Sequence, residues 1–492
     1  MSEYKMPQLK HPDRLFIGGE WVQPNSGRQL EIVSPDTEQV VGHVAEADEV
    51  DMDRAVAAAR QAFDHGPWPW FTPSERIEAM ERLVAALKRR HPELAAAWSL
   101  QMGGLQTIAP YLVGRGTSNL EDAIRLGKSF DFVKKVKSDA SPVAYVVHEP
   151  VGVVAAIAPW NVPYMIMAAK LAPALLSGST VVMKPSPETP LEAYIIAECA
   201  EEAGIPAGVI NLVPSHREAA DHLVNNPGVD KVSFTGSTLA GKRIAEVCGS
   251  RIARCTLELG GKSAAVVMDD MPIEEAAQIL GGAITLVSGQ VCAMLTRAIV
   301  PRKRHDELAD AIAGVMKQTR LGHSYDAEAQ MGPLAMARQL ERVESYIQAG
   351  QAGGADLVTG GNRPSQMNRG YFMEPTLFAN VDNDMKIAQE EIFGPVLSLI
   401  PCEDEADAIR IANESNYGLN GSVLTHDPDA AWRVARRIRT GNVGQNGMRS
   451  DFSLPFGGFK QSGLGREGGT QGLMHYLETK TILVDAEPAE AV

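Results

Sequence analysis

Residues 151–184 have the sequence VGVVAAIAPWNVPYMIMAAKLAPALLSGSTVVMK, in which two short apolar runs flank a longer apolar segment. The runs Val153–Ala158 and Thr180–Met183 have the length and composition of buried strands. Between them, Ile166–Leu176 is long enough to form a helix. A strand, a helix and a second strand in this order build a βαβ unit, whose two strands lie parallel in one sheet. This stretch therefore predicts an α/β fold.

The same alternation continues towards the C-terminus. Leu191–Ala203 has helical spacing, and Val209–Val213 is a third short apolar run. A second block of alternating strands and helices begins at Ser263–Val267 and extends to about Leu464. Because each block can build its own parallel sheet, the sequence predicts two α/β domains.

The segments outside the two blocks have other patterns. Phe16–Val22 indicates a strand that turns at paired glycines, and helices are predicted at Asp51–Phe63 and Ser74–Leu87. Val133–His148 interrupts the first block and predicts a β-hairpin. Thr479–Val484 predicts a further strand near the end of the chain.

Length and composition limit the class of protein. A chain of 492 residues corresponds to two or three domains, since one domain typically takes about 100–200 residues. The net charge of −15 argues against nucleic acid as a principal partner, because phosphate binding needs a basic surface. No run of about 18 apolar residues occurs, so no membrane span is expected. Met1–Arg14 is polar and of mixed charge, unlike a secretory signal.

The cysteines are few and scattered, at positions 199, 248, 255, 292 and 402. They form neither a disulfide framework nor a CxxC pattern, so no metal site is predicted. A reducing, cytoplasmic environment is the simplest expectation.

Two short stretches carry groups suited to acyl chemistry. Gly289–Cys292 places one cysteine on a short loop, and Leu257–Lys262 places Glu258 between two leucines. A thiolate is a strong nucleophile near neutral pH and a carboxylate can activate water, so the pair could form a thioester and hydrolyse it. Taken alone the pair is ambiguous, because an isolated cysteine is more often a small buried apolar side chain and most glutamates are exposed.

These stretches belong to a longer series of motifs. The others are Ala158–Pro163, Thr180–Pro190, Ser233–Gly241, Glu390–Val396 and Pro455–Gly463. In this order and at these separations, the motifs resemble those of the NAD(P)-dependent aldehyde dehydrogenase superfamily, from about Phe16 to about Leu483. The resemblance indicates the family and not one substrate.

The resemblance implies an α/β architecture with two doubly wound parallel-sheet domains and a small β element for oligomerisation. The implied dinucleotide-binding domain comprises residues 1–130 and 149–256, and the implied catalytic domain comprises residues 257–466. Residues 131–148 and 467–492 would form the oligomerisation element of a homodimer or homotetramer.

The resemblance also implies catalytic roles. Cys292 would attack the aldehyde carbonyl, and loss of hydride from the thiohemiacetal would leave a thioester. Glu258 would activate the water that hydrolyses this thioester. Asn161 would hold the oxyanion through its amide, and Lys170 would lie near the proton path. The alternatives are a packed thiol at Cys292, a simple turn residue at Asn161 and a solvated helix lysine at Lys170.

A dinucleotide is the implied cofactor. The Gly236–Gly241 turn would let the backbone approach a pyrophosphate at a helix N-terminus. NAD-preferring relatives usually have a glutamate three residues after Lys184, which binds the ribose hydroxyls and repels a 2′-phosphate. Here Pro187 occupies that position and the acid follows at Glu188, so NAD is the first choice and NADP stays open. Glu391 has the alternative role of an acidic helix end. The expected cofactor contacts are Trp160, Lys184, Ser186, Gly236, Ser237, Gly241, Glu391 and Phe393.

The expected substrate is a small-molecule aldehyde, and one helix face bears on its polarity. Val162, Met165, Ile166 and Ala169 are spaced to share that face. In the family this helix borders the substrate tunnel, which would then suit an apolar aldehyde, aliphatic or terpenoid. Core packing is the alternative that periodicity favours. The region Gln445–Leu454 departs from the usual family form, so ordinary specificity rules do not transfer.

The sequence thus predicts an enzyme that oxidises an aldehyde to the carboxylic acid with NAD(P)+ through a thioester. A coenzyme A-acylating semialdehyde dehydrogenase is one alternative. Such branches tend to lack the glutamate, so the presence of Glu258 favours water as the acyl acceptor. The other alternative is an inert structural or binding protein with the same fold, which loss of Cys292 or Glu258 would have signalled.

Overall fold

The computed structural model describes residues 6–489, so the parts of the predicted domains at residues 1–5 and 490–492 lie outside the described residues. Within this range the strands form sheets of eight, seven, three and two strands. In chain order the strands are β1 (Leu15–Ile17), β2 (Glu20–Val22), β3 (Gln29–Val33), β4 (Val40–Ala45), β5 (Val133–Val136), β6 (Val143–Pro150), β7 (Val153–Ile157), β8 (Thr180–Lys184), β9 (Ile210–Leu212), β10 (Lys231–Thr235), β11 (Arg254–Glu258), β12 (Ser263–Val267), β13 (Leu295–Pro301), β14 (Asp356–Thr359), β15 (Thr376–Ala379), β16 (Val396–Cys402), β17 (Asn420–Leu424), β18 (Asn442–Gln445), β19 (Gly463–Leu464) and β20 (Leu477–Val484).

Helices connect the strands of the two large sheets. None of the helices in residues 6–489 is long and apolar enough to cross a membrane. Short 3₁₀ segments lie at Trp68–Trp70, Leu286–Gly289, Arg302–Arg304 and Lys460–Ser462. In chain order the α-helices are α1 (Glu49–Asp64), α2 (Pro73–Arg89), α3 (His91–Met102), α4 (Ala109–Gly127), α5 (Pro163–Ser177), α6 (Leu191–Glu202), α7 (Arg217–Asn225), α8 (Thr238–Arg251), α9 (Ile273–Ala283), α10 (His305–Gln318), α11 (Ala337–Ala352), α12 (Lys386–Gln389), α13 (Glu405–Asn413), α14 (Pro428–Ala435) and α15 (Gly469–Met474).

The eight-stranded sheet confirms the α/β prediction for the first block. Its order is β19-β11-β10-β7-β8-β9-β1-β2. The central strands from β11 to β9 run parallel, whereas β19, β1 and β2 pair antiparallel at the margins. The predicted βαβ unit is β7, α5 and β8, and the predicted strand Val209–Val213 contains β9.

The burial of helix α5 explains why its residues are apolar on every face. Its residues are buried almost throughout, because the helix packs between the sheet and helices α4 and α6. Pro163 occupies the first turn, where a missing N–H breaks no helical hydrogen bond. The helix ends at Gly178, whose φ of 94° is the left-handed conformation typical of a C-cap. The start of α5 is thereby fixed at the carboxyl end of β7.

The seven-stranded sheet confirms the second block. Its order is β14-β15-β16-β13-β12-β17-β18, and its strands run parallel except for the marginal strand β14. The predicted strand Ser263–Val267 is β12 with identical bounds. Both large sheets are covered by helices, as parallel sheets require.

The eight-stranded sheet includes residues beyond position 257, where the sequence predicts that the catalytic domain begins. Leu257 and Glu258 still pair with Phe234 and Thr235 of β10, so β11 lies wholly in the eight-stranded sheet. Strand β19 pairs with β11 in the same sheet, although it falls in the predicted catalytic range. The second sheet begins only at Ser263, because the intervening residues form the connection between the sheets. The domain division itself stays a prediction.

The smaller predicted elements are confirmed. β5 and β6 form the hairpin, and β20 pairs antiparallel with β6 from Leu477 to Val484. β1 and β2 form a hairpin that turns at Gly18 and Gly19, whose φ values are 64° and 83°. The predicted helices Asp51–Phe63 and Ser74–Leu87 are contained in α1 and α2. Each of these strands and helices is one continuous stretch of the chain, which is why its pattern predicted it.

Candidate active site

A cavity of about 310 Å³ brings most of the predicted catalytic residues together. It lies where the carboxyl ends of β7, β10 and β11 face loops that belong to the seven-stranded sheet, the usual ligand-binding place of α/β folds. Asn161, Glu258 and Cys292 line it together with Glu391 and Phe393. Residues far apart in the sequence therefore share one site.

The loop that carries Cys292 is held in an unusual backbone conformation. Val287, Ser288 and Gly289 have φ values of 51°, 53° and 74°, and such a conformation is strained for a β-branched valine. Ser288 Oγ donates to the carbonyl of Gly332 at 2.8 Å. A Cβ atom at Gly289 would lie 2.3 Å from the carbonyl carbon of Gly394, so only glycine fits there. Packing and hydrogen bonds thus fix the turn just before the cysteine.

The thiol of Cys292 is neutral in this environment. Burial raises its pKa to about 12, and the nearby charges of Glu391 and Glu258 act in the same direction. Nucleophilic attack therefore requires a group that accepts the thiol proton. The alternative of a thiol packed in the core does not fit, because Cys292 lines the cavity.

Asn161 has one amide hydrogen available for a ligand. Its Nδ2 donates one hydrogen bond to the carbonyl of Gln290 at 2.9 Å, and an amide nitrogen carries two hydrogens. The backbone carbonyl of Asn161 accepts a hydrogen bond from Trp98 Nε1 at 2.8 Å. These bonds orient the buried side chain beside the Cys292 loop. The amide can therefore donate to an oxygen bound at the thiol, beyond the turn role that the sequence left open.

Glu258 is a buried carboxyl group without a hydrogen-bond partner in the part of the chain that the structure describes. It ends β11, and within residues 6–489 neither of its side-chain oxygens has a hydrogen-bond partner. A Cβ atom at Gly457 would lie 2.6 Å from its Oε1, so that glycine leaves room for the carboxyl group. Burial raises the pKa of Glu258 well above its usual value, and the charge of Glu467 raises it further. An unsatisfied acceptor of this kind points to a water molecule or ligand as its partner.

Lys170 is buried, so the alternative of a solvated helix lysine is wrong. Its Nζ lies 2.6 Å from Glu467 Oε1 and 2.8 Å from Thr235 Oγ1, and its side chain is 0% exposed. Glu467 lines the same cavity as Glu258 and was missed in the sequence. Its position in a glycine-rich stretch carries no periodic signal, and only the fold brings it to Lys170.

A second cavity, of about 440 Å³, lies at the carboxyl end of β8. Lys184 and Ser186, two of the expected cofactor contacts, line it. Burial lowers the pKa of Lys184 to about 8, against the opposing influence of Glu188. Glu188 does not extend freely into the cavity: its Oε1 lies 2.6 Å from Arg338 Nη2, and its Oε2 accepts a hydrogen bond from Ser186 Oγ.

The turn after β10 opens helix α8 as predicted. Ser237 is the N-cap, and its Oγ accepts a hydrogen bond from the backbone N–H of Ala240 at 3.3 Å. Gly236 and Ser237 line the first cavity, which places the helix N-terminus at its wall. Gly241 has a packing role instead, since a Cβ atom there would lie 2.4 Å from Leu259 Cδ2.

Glu391, Phe393 and Trp160 also line the first cavity. Glu391 Oε1 accepts a hydrogen bond from the backbone N–H of Gly261 at 3.0 Å, and burial raises its pKa to about 7. Phe393 has a φ of 63°, and its ring meets that of Trp160 edge-on at 5.2 Å. Because Glu391 lies beyond the end of α12 and lines the cavity, the alternative of a plain helix end does not fit.

The remaining wall of the first cavity is apolar. Val162, Met165 and Ile166 line it, whereas Ala169 lines a separate cavity of about 430 Å³ that has Phe452 in common with the first. Periodicity placed these four residues together and did not show where the cavity ends. The region Gln445–Leu454, uninterpreted from sequence, contributes Met448 and Phe452, and Phe452 stacks on Phe456 at 4.6 Å.

The two cavities fit a dinucleotide next to a small organic substrate. The first offers a thiol, an amide donor and an unsatisfied carboxyl group, and the second offers the buried amine of Lys184. No group of at least three His, Cys, Asp or Glu side chains within residues 6–489 is arranged to hold a metal ion.

Comparison with known proteins agrees with this chemistry. The sequence matches the model of the aldehyde dehydrogenase family over residues 21–482. It is 44% identical over 469 residues to geranial dehydrogenase of Castellaniella defragrans, covering 95% of this chain and 98% of that protein. It is 40% identical over 472 residues to a 3-succinoylsemialdehyde-pyridine dehydrogenase of Pseudomonas sp, covering 95% of this chain and 98% of that protein.

Solved structures have the same fold. Mycobacterium tuberculosis aldehyde dehydrogenase complexed with NAD+ matches with a TM-score of 0.94 and 40% identity, covering 97% of this chain and 99% of that chain. A cysteine-to-alanine mutant of aldehyde dehydrogenase C from Pseudomonas syringae, in complex with NAD+ and octanal, also has a TM-score of 0.94. Its identity is 38%, and the match covers 98% of this chain and 99% of that chain.

Proposed function

The chain belongs to the aldehyde dehydrogenase family and oxidises an aldehyde with NAD as cofactor, and we propose that Cys292, Glu258 and Asn161 carry its chemistry. The observation that supports these roles is the meeting of a thiol, an amide donor and an unpartnered carboxyl group in one cavity. The thiol can act as the nucleophile, the amide can donate to the oxyanion, and the carboxyl group can accept a proton.

The first step is attack of the Cys292 sulfur on the aldehyde carbon. The S–C bond forms as the carbonyl π electrons move to oxygen, and the amide of Asn161 donates a hydrogen bond to that oxygen. The thiol proton leaves to a base, and Glu258 is the buried carboxylate that lines the same cavity. Because burial raises the pKa of Glu258, its carboxylate is a stronger base than an exposed one.

The second step converts the thiohemiacetal into a thioester. A bound nicotinamide would supply the acceptor for the hydride that leaves the substrate carbon as the C=O bond forms again. Trp160 and Phe393 would hold the nicotinamide by packing against it, and Glu391 would bind its ribose. Lys184, Ser186, Gly236 and Ser237 would hold the adenosine and pyrophosphate parts, and Gly241 would support them through helix packing.

The third step is hydrolysis. Once the proton taken from the thiol has passed to solvent, Glu258 would take a proton from a water molecule, whose oxygen attacks the thioester carbon. The S–C bond breaks, and the departing thiolate takes up that proton from Glu258. The carboxylic acid leaves and the thiol is restored. The buried pair of Lys170 and Glu467 lies next to this group, and its two opposite charges act on the pKa of Glu258 in opposite directions, that of Glu467 the more strongly. The presence of Glu258 as this base favours water over coenzyme A as the acyl acceptor.

The substrate is an apolar aldehyde. Met165, Ile166, Met448 and Phe452 give the cavity an apolar wall with no paired cations for an anionic substrate among its lining residues. The relative from Castellaniella is named for geranial, and the Pseudomonas syringae structure contains octanal. Both are apolar aldehydes, which supports an aliphatic or terpenoid aldehyde for this chain.

The small sheet supports a homo-oligomer. Val133, Ile482 and Leu483 are 50%, 37% and 50% exposed on β5 and β20, although apolar strand residues usually pack against something. The two outer strands also present unpaired backbone groups at their edges. A homodimer or homotetramer would cover this surface. We also propose a cytoplasmic location, since the five cysteines are free.

A panel of aldehydes tests the function. NADH formation is measured with short aliphatic, long aliphatic, aromatic, terpenoid and amino aldehydes, with NAD+ or NADP+, and with or without coenzyme A. We expect the highest kcat/KM for apolar aldehydes and no requirement for coenzyme A. The variant Cys292→Ala should lose oxidation and retain NAD+ binding. Turnover in that variant, or a strict dependence on coenzyme A, would contradict the mechanism.

A further inference from the structure

An ion pair crosses the cleft at the second cavity. Arg338 is the second residue of α11, which packs on the seven-stranded sheet, whereas Glu188 lies in the loop after β8 of the eight-stranded sheet. Arg338 Nη2 and Glu188 Oε1 are 2.6 Å apart. Both residues line the cavity that contains Lys184. The pair therefore joins the two halves of the molecule beside the proposed adenosine site.

The carboxylate of Glu188 is occupied on both oxygens. Ser186 Oγ donates to Oε2, while Arg338 holds Oε1. Burial acts to raise the pKa of Glu188, and Arg338 and Ser186 hold it below the usual value. The group is thus ionised, and its charge is compensated by the arginine. The preceding residue, Pro187, offers no carboxylate of its own.

The other charged groups at this cavity are mostly cations. Lys184 and Arg217 line it, and Arg243 lines it with Asp221, to which its Nε donates at 3.2 Å. Once Arg338 compensates Glu188, the field at the cavity is positive. A free carboxylate beside a ribose favours a 2′-hydroxyl and repels a 2′-phosphate, whereas a nearby arginine accommodates the phosphate.

We propose that Arg338 determines the dinucleotide preference of this enzyme, by holding Glu188 so that the cavity accepts NADP as well as NAD. The proposal rests on the proposed assignment of this cavity to the adenosine ribose. Without Arg338 the charge of Glu188 would be uncompensated close to a 2′-phosphate. NADP binding would then weaken selectively, because the 2′-hydroxyl of NAD can still donate a hydrogen bond to the freed carboxylate.

The test is the dissociation constant of NAD+ and of NADP+, measured by isothermal titration calorimetry on the full chain. Arg338→Met should weaken the binding of NADP+ by about tenfold or more relative to the binding of NAD+. Glu188→Gln should shift the preference towards NADP+. In the double variant, NADP+ binding should return to at least the wild-type level, because no uncompensated carboxylate is left.

Arg363→Met is the matched control. The two arginines are similar: the side chain of Arg363 is 58% exposed and that of Arg338 is 64% exposed. Each lies 2.6 Å from the carboxylate of its partner, which is Glu344 for Arg363. Arg363 differs in that it does not line the cavity. The control should leave both dissociation constants unchanged. Adenosine 2′,5′-bisphosphate and 5′-AMP, titrated as fragments, should show the same selectivity as the whole cofactors.

Three results would overturn the proposal. One is a wild-type enzyme that does not bind NADP+. Another is an Arg338→Met variant that loses affinity for both cofactors equally, as a purely structural tether would. The last is an Arg338→Met variant whose NADP+ affinity falls, relative to its NAD+ affinity, by less than about tenfold. Failure of the aldehyde panel with NAD+ would instead overturn the proposed function, and the binding constants distinguish the two cases.

Discussion

The carboxyl group of Glu258 is the clearest example of a side chain whose surroundings explain its chemistry. It is 3% exposed and has no hydrogen-bond partner within the described residues, so the fold holds a polar group in an unfavourable place. Such a cost is typical of functional sites, where the missing partner is a reactant. Here the partner would be the water that hydrolyses the thioester.

Glu258→Gln should separate acylation from deacylation. Glutamine is similar in shape and cannot accept a proton, so the variant should release a burst of about one NADH per active site and then stall. Rapid-quench or stopped-flow absorbance measures the burst. Glu328→Gln, an exposed surface change, serves as control and should turn over normally. Absence of a burst would assign Glu258 to hydride transfer or an earlier step.

The raised pKa of Glu258 predicts the direction of the pH dependence. The base acts only when deprotonated, so the deacylation rate should fall as pH decreases through the raised pKa. This loss should occur well above the pH at which an ordinary glutamate is protonated. Single-turnover decay of the acyl-enzyme, followed by mass spectrometry between pH 5 and 9, measures it. A deacylation rate that is constant down to about pH 5 would contradict the assignment.

Strand β13, which follows the Cys292 loop, is anchored by one buried arginine. Arg297 Nε donates to the carbonyl of Lys262 at 3.0 Å, and its two Nη atoms donate to Asn383 and to the carbonyls of Ile411 and Ala412. These bonds connect β13 to the connection before β12 and to the end of α13. The guanidinium thereby fixes the strand on which the catalytic loop ends.

Arg297→Met should destabilise the protein. It leaves several buried carbonyl oxygens without a donor, and each such group costs about 1–3 kcal/mol, so the free energy of unfolding should fall by at least about 3 kcal/mol. Chemical denaturation measures the change. Arg302→Met removes an exposed ion pair to Glu403 and should cost less than about 1 kcal/mol. Equal effects of the two substitutions would show that the buried bonds contribute no more than exposed ones.

The three-stranded sheet is the part of the molecule through which we expect subunits to associate. Its strands come from two distant segments, and β20 pairs with β6 along its full length. Much of its apolar surface is exposed in a single chain. The proposed oligomer would bury this surface, and it would depend on the C-terminal segment.

Leu483→Asp should reduce the mass of the assembly. A charge placed in an apolar interface is costly to desolvate, so association of the subunits should weaken. Light scattering after size-exclusion chromatography measures the mass. Val50→Asp is the matched control, because Val50 is 49% exposed and lies in the first turn of α1, outside the small sheet. An unchanged mass for Leu483→Asp would place the interface elsewhere.

The pattern of apolar residues and turns within short stretches of sequence was sufficient to predict most of the strands and helices. The apolar runs at β7, β8 and β12 and the glycine turn before α8 predicted parallel strands and a helix N-terminus that the structure confirms. Helical spacing grouped Ala169 with the residues that line the first cavity, but Ala169 lines a separate cavity instead. Periodicity gives the face of a helix, but the extent of a cavity depends on what packs against that face.

The sequence by itself determined the two parallel sheets and the presence of a cysteine, a glutamate and an asparagine in a recognisable order. These properties are local, because strand and helix formation depends on neighbouring residues. Only the tertiary structure decided that Lys170 is buried against Glu467 and that Glu188 is held by Arg338. Each of these pairs joins separate segments of the chain, and burial and charge compensation arise only when the fold brings those segments together.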